Sequence, residues 1–143
     1  MALLNYSSTV PAVRTVIQMQ ELLAKHGASQ ILTEYAADGS VSGLAFAING
    51  PVGLQRYRLP VDVSAVEKVL SRDRTIASRF KSREQAERVA WRILKDWLEA
   101  QLAIVATQMV TLDQVMLSYM LVGEGTVYDL YLNRQLELGS GDD

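Results

Sequence analysis

The sequence predicts an α+β fold in which one long helix follows a three-stranded antiparallel meander. Residues 83–106 contain no glycine or proline and repeat apolar side chains at helical spacing. Residues 31–59 form three short alternating runs separated by turn sequences. Because 143 residues with 49% hydrophobic and 21% charged side chains are typical of one globular unit, we expect a single domain over 1–138 and a disordered tail over 139–143.

The chain is expected to begin with a loose lead-in over residues 1–8, followed by a helix at about 11–26. Pro11 suits the first turn of a helix, where a missing N–H costs little. Gly27 suits the position just after the helix, where a left-handed conformation is common. These two residues therefore bracket the first helix.

The meander is indicated by its turns, since Asp38-Gly39 and Asn49-Gly50-Pro51 are typical hairpin sequences. One face of the second strand carries Ala45 and Ala47, which are small enough to admit a close neighbour. Arg56 and Arg58 share a face of the third strand, so we expect that face to be solvated or bound to an anion. The strands are predicted at about 31–35, 41–48 and 54–59.

The second half is predicted to be mainly helical, because three capping-box sequences occur in it. They begin at Ser64, Ser82 and Thr111, and predict a short helix, the long central helix and a further short helix at about 112–121. The apolar sector of the long helix is wide towards its C-terminal half, which suggests burial on two sides. Alternating apolar residues then predict a C-terminal strand at about 126–132.

Two segments carry a resemblance to known proteins. They are Tyr57-Arg58-Leu59-Pro60-Val61 and Lys81-Ser82-Arg83-Glu84-Gln85-Ala86-Glu87-Arg88-Val89-Ala90-Trp91-Arg92-Ile93-Leu94-Lys95-Asp96-Trp97. In texture and order of elements, the chain over about 12–128 resembles small uncharacterised proteins of bacteriophages and integrated mobile elements. The resemblance implies an accessory role in a bacterial or phage cytosol, and it implies no activity.

Charge is distributed unevenly along the chain. Residues 54–95 carry a net charge of +6, and the remainder carries −8. The basic residues are densest between residues 72 and 83, where arginine forks beside serine hydroxyls are typical of phosphate binding. The candidate anion-binding residues are Arg72, Arg74, Arg79, Lys81 and Arg83, with Arg56 and Arg58 as a possible extension. The alternative is a solvated, mobile loop whose arginines pair with acids elsewhere.

The residue types present disfavour several chemistries. The chain has no cysteine and one histidine, His26, at a predicted helix end, so triads, Cys-His dyads and zinc fingers lack their side chains. Carboxylates on the long helix have basic partners four residues away. Trp97 is expected in the core and not as a stacking platform. We therefore predict no catalytic residue, no metal site and no cofactor.

A second candidate surface is apolar. Residues 100–123 contain a single charged residue, and methionines are common where surfaces adapt to each other. We expect this region to mediate self-association, with a dimer favoured. The residues predicted for it are Leu98, Leu102, Val105, Met116 and Met120. The alternative is that the first helix and the sheet cover all of them.

These observations favour a non-enzymatic accessory protein that binds nucleic acid or a nucleotide phosphate through residues 72–83. The alternative is a protein-binding inhibitor or adaptor directed at a host defence or replication protein. An enzyme is disfavoured because no constellation of residues supports one. The absence of cysteine fits a reducing cytoplasm, and no segment predicts a membrane span.

Overall fold

The computed structural model describes the backbone of residues 1–140 and the side chains of residues 1–134. The fold is α+β, as predicted. Two short 3-10 turns lie at Ser78–Phe80 and Leu117–Tyr119. The helices and strands are α1 (Ala12–Lys25), β1 (Gln30–Tyr35), β2 (Val41–Gly50), β3 (Gly53–Arg58), α2 (Val63–Arg72), α3 (Arg83–Ala106), α4 (Leu112–Met116), β4 (Leu121–Val122), β5 (Gly125–Thr126) and α5 (Val127–Ser140).

The three predicted strands form an antiparallel sheet in the order β1-β2-β3. Side chains alternate between its faces, so the register defines two surfaces. Ile31, Phe46 and Tyr57 are aligned across the inner face, which packs against the helices. Leu32, Ala45 and Arg58 are aligned across the outer face. The β4–β5 hairpin adjoins β3 through a bridge between Tyr57 and Met120.

The first core lies between the inner face of the sheet and α1 and α3. Its centre is Trp91, which is fully buried. Phe46 and Tyr57 stack at 5.3 Å within it, and burial raises the pKa of the Tyr57 hydroxyl, with a smaller contribution from the charge of Asp113. Trp97 lies at the edge of this core, partly buried, with its ring 5.5 Å from that of Tyr119. Trp91 is therefore the principal core tryptophan.

A second core lies on the other side of α3, between α2 and the N-terminal residues. Leu70 and Val89 are buried in it, and Tyr6 meets Phe80 edge to face at 5.3 Å. The side-chain amide of Gln85 donates hydrogen bonds to the carbonyl oxygens of Tyr6 and Ser8. The expectation of a loose lead-in over residues 1–8 was therefore wrong, because apolar contacts and buried hydrogen bonds hold this segment on α3.

The long helix agrees closely with its prediction. Ser82 caps it by accepting a hydrogen bond from the backbone N–H of Gln85, and the Glu84–Arg88 ion pair forms at 2.8 Å. Burial on two sides occurs in its N-terminal half and not in its C-terminal half, where Ala100 and Ile104 are exposed. Within residues 1–140, no helix is both long and apolar enough to cross a membrane.

The C-terminal region differs from its prediction. The chain is helical from Val127, and only Gly125–Thr126 pair as a strand. Thr126 and Asp129 cap this helix reciprocally, since each side chain accepts a hydrogen bond from the backbone N–H of the other. The expected tail also begins inside α5, because Gly139 and Ser140 are helical. Residues 141–143 lie outside the described residues.

The first prediction concerns the two tryptophans. We expect Trp91→Ala to lower the free energy of unfolding by about 3–5 kcal/mol, because a buried aromatic leaves a cavity. Trp97→Ala should cost clearly less, because part of that side chain already contacts water. Urea denaturation of both variants followed by circular dichroism measures the difference. Equal losses would contradict the assignment of Trp91 to the centre of the core.

The second prediction concerns the N-terminal segment. Gln85→Leu should lower the free energy of unfolding by about 1–3 kcal/mol, because two carbonyl oxygens lose their donors. Amide hydrogen exchange in residues 1–8 should accelerate more than exchange in the sheet. Glu84→Ala is the control, since that side chain is exposed beside the same helix start. Unchanged exchange in Gln85→Leu would show that the segment is held without the hydrogen bonds of Gln85.

Candidate anion-binding site

The basic segment, residues 72–83, connects α2 to α3. It begins at Arg72, the last residue of α2, and reaches the cap of α3 at Ser82. Ile76 is only 9% exposed and Phe80 packs on the second core, so the connection is held at two points. The charged side chains between these anchors therefore extend from a backbone that packs on the second core.

Asp73 is the only acidic residue of the basic segment. Its carboxylate accepts hydrogen bonds from the hydroxyl of Thr75 at 2.5 Å and from the backbone N–H of Thr75 at 2.8 Å. These hydrogen bonds stabilise the ionised form, and they lower the pKa of Asp73 below its ordinary value. The carboxylate is thus satisfied by its own turn and forms no ion pair with the neighbouring arginines.

Four of the five predicted cations in the segment have no acidic partner within 4 Å among the described side chains. Arg72 and Arg74 are exposed on either side of Asp73. Arg79 lies over the ring of Phe80, with its guanidinium carbon 4.7 Å from the ring centre, and Lys81 is partly buried. The structure therefore leaves these four charges available to a ligand.

Arg83 differs from the other four cations because it has polar partners within the fold. Its guanidinium donates a hydrogen bond to the hydroxyl of Ser64 at 2.9 Å and lies 3.7 Å from the carboxylate of Glu67. Both partners belong to α2, so Arg83 joins α2 to the start of α3. Glu87 lies one turn further along α3, and its partial burial raises its pKa. Arg83 therefore links the two helices at the surface, with its side chain still 53% exposed.

Arg56 and Arg58 lie on the outer face of the sheet, as their alternation predicted. Arg58 forms an ion pair with Glu34 at 2.7 Å, and this contact crosses β2 over Gly43. A Cβ atom at Gly43 would lie 2.9 Å from the Glu34 carboxylate, so glycine leaves the space for the pair. No hydrogen bond or ion pair between described side chains joins the two sheet arginines to the basic segment. They form a separate positive surface.

The predicted self-association residues need a correction. Leu98, Leu102 and Met116 are at most 1% exposed and belong to the first core, so they cannot contact a second chain in the folded protein. Val105 and Met120 are partly buried. The alternative, that the rest of the fold covers this region, holds for the three buried residues. These three apolar side chains are buried beside α1 and the sheet.

The structure adds a surface that the sequence reasoning missed. A groove of about 350 Å³ lies on the outer face of the sheet. Its floor is Ala45 and Ala47, and Leu32, Leu121 and Arg56 line it. The small residues of β2 were the available signal, but the contribution of Leu121 depends on the β4–β5 hairpin meeting β3, which local sequence does not predict.

Other candidate chemistry has a structural explanation. The ring of His26 donates a hydrogen bond from Nδ1 to the carbonyl of Leu22 at 2.9 Å, at the end of α1 as predicted. Lys95 and Glu99 pair at 2.7 Å, whereas Asp96 accepts a hydrogen bond from Asn5. In the described part of the chain, no group of three His, Cys, Asp or Glu side chains is arranged to hold a metal ion.

No protein-family model matches the chain, and the comparisons with curated proteins and with solved structures return no significant match.

The third prediction concerns the turn inside the basic segment. Thr75→Val removes the hydroxyl donor to Asp73, so the pKa of Asp73 should rise towards its ordinary value. Thr75→Ser keeps a hydroxyl and should keep the pKa low. Carbon-detected NMR titration of the Asp73 carboxyl measures both. Identical titration of the wild type and Thr75→Val would contradict the turn described here.

Proposed function

We propose that the protein is a non-enzymatic accessory protein that binds nucleic acid, or another polyanion rich in phosphate, through the basic segment. The observation that carries the proposal is the set of four cations without acidic partners among the described side chains: Arg72, Arg74, Arg79 and Lys81. Guanidinium groups offer two parallel N–H donors to a phosphate. Because the segment is anchored at Ile76 and Phe80, binding would order side chains and not the backbone.

Charge along the sequence supports the same proposal. The net charge of +6 over residues 54–95 would attract a polyanion, whereas the remaining −8 would disfavour contacts elsewhere. This uneven charge favours binding of the polyanion at one face of the protein over binding across its whole surface. The aromatic ring beside the four cations, Phe80, is occupied by Arg79 and Tyr6, which favours contacts to the phosphate backbone, with little sequence specificity, over base stacking. We place this phage or mobile-element protein in the cytoplasm of a bacterial host.

The fourth prediction tests this site. Arg72→Ala combined with Arg74→Ala should weaken binding to single- and double-stranded DNA alike, because phosphate contacts are independent of sequence. The salt dependence of the binding constant should also fall, by up to about two counterions. Fluorescence anisotropy with short labelled DNA at several salt concentrations measures both. The matched control is Arg14→Ala combined with Lys25→Ala, which removes two exposed charges from α1.

The outcomes separate the parts of the proposal. No wild-type binding at low salt would exclude a nucleic-acid function. Binding that both double variants weaken equally would indicate a general charge effect and not a site at Arg72 and Arg74. Binding that only the control variant weakens would assign the contact to α1.

The second candidate function is a protein-binding inhibitor or adaptor. The exposed apolar side chains of Met109 and Leu117, which are 71% and 48% exposed, favour it. Apolar contacts strengthen little when salt is lowered, so a partner bound through them would remain bound at high salt.

Self-association is also part of the proposal. Apolar surface is exposed on α5 and on the outer face of the sheet, and soluble oligomers are most often symmetric dimers.

A further inference from the structure

Helix α5 exposes apolar side chains that its own chain does not cover. Tyr128, Leu130, Tyr131 and Leu132 are 44–60% exposed. In the described residues, the main packing partners of α5 are the 3-10 turn at 117–119 and β5, which immediately precede it. A helix of 14 residues is marginal in water without tertiary packing, so α5 needs a surface that covers it.

The outer face of the sheet is the complementary surface. An antiparallel sheet can expose one face to water, and that face is then normally polar. Here Leu32 is 58% exposed and Leu54 is 44% exposed, beside the groove floored by Ala45 and Ala47. The small floor leaves room for side chains of a helix. This face therefore lacks an apolar cover of its own.

Charge supports pairing of these two surfaces. Residues 124–143 contain five acidic residues and one arginine, a net charge of −4. The groove presents the guanidinium groups of Arg56 and Arg58. Only Arg58 has an acidic partner among the described side chains, and Arg56 is exposed at the groove without one. Two of these five acids lie in α5 itself, so an apolar helix within an acidic C-terminal segment fits this surface in both respects.

The connection between β5 and α5 decides which copy supplies the helix. Val127 follows Thr126 without a loop, and the reciprocal cap of Thr126 and Asp129 sets the direction of the helix. Arg58 lines the groove and also a depression bordered by Tyr128 and Asp129, so α5 leaves the fold at the edge of the groove. Held there, α5 packs mainly on the 3-10 turn at 117–119 and on β5, and Leu32 and Leu54 on the outer sheet face stay exposed, so the groove is open to α5 of a neighbouring copy.

We propose that two copies form a symmetric dimer in which α5 of each lies on the outer sheet face of the other. The inference rests on the proposed self-association and specifies its surface, and it is independent of polyanion binding. The interface contains each contact twice, as two-fold symmetry requires. It uses none of the buried residues Leu98, Leu102 and Met116.

The fifth prediction tests both halves of the interface. Wild-type protein in size-exclusion chromatography with light scattering should have twice the 15.8 kDa mass of one chain. Leu130→Glu on α5 and Leu32→Glu on the sheet should each yield monomers with unchanged far-ultraviolet circular dichroism, because both side chains are exposed. Val13→Glu on α1 is the control, since it is similarly exposed, at 57%, and should remain dimeric.

Mixing the two monomeric variants distinguishes this arrangement from the alternatives. The Leu130→Glu chain retains an intact sheet face, and the Leu32→Glu chain retains an intact α5. The mixture should therefore recover dimers that neither variant forms alone, with one of the two contacts restored.

The contrary outcomes are distinct. A dimer dissociated by Leu130→Glu but not by Leu32→Glu would indicate α5 packing on α5, and would overturn the exchange. A dimer that survives both variants would retain self-association and reject this surface. A wild-type monomer at high micromolar concentration would overturn self-association itself.

Discussion

The packing of α3 between two separate cores is the constraint on which the rest of the fold depends. One side of the helix buries Trp91 and Leu98 against the sheet and α1, and another buries Ala86 and Val89 against α2 and the N-terminal residues. Residues three or four apart lie on one face of a helix. Because both faces belong to the same uninterrupted helix, α3 sets the position of one core relative to the other. Its 24 residues extend over roughly 36 Å, so elements distant in sequence share one rigid support.

The candidate anion-binding segment derives its order from the second of these cores. Ile76 and Phe80 hold its backbone, while the charged residues between and beside them remain in solvent. Different residues therefore stabilise the segment and carry its charge. The apolar anchors stabilise the fold, whereas the arginines contribute little to its stability. Arg83 is the exception, since its contacts with Ser64 and Glu67 join two helices. A cluster of basic residues in a sequence therefore contains both ligand-accessible and structural members.

Local patterns predicted most elements of the fold, because caps, turns and periodicity act over a few residues. The long helix with its Ser82 cap and the three-stranded meander are examples. Other features were not predicted, because local signals competed or because the partners were remote in sequence. Tyr128, Leu130 and Leu132 alternate as in a strand, but the cap at Thr126 starts a helix. The groove was not predicted, because Leu121 reaches it only through the pairing of a distant hairpin with β3.

The anchoring of the N-terminal residues has a consequence for synthesis on the ribosome. Asn5 donates a hydrogen bond to Asp96, which is 91 residues away, and Gln85 bonds to the carbonyl of Tyr6, 79 residues away. Residues 5 and 6 thus leave the exit tunnel well before their partners on α3. Until α3 emerges, the apolar side chains of Leu3 and Tyr6 remain in solvent and accessible to chaperones. Completion of the second core therefore waits until the first turns of α3 have left the tunnel.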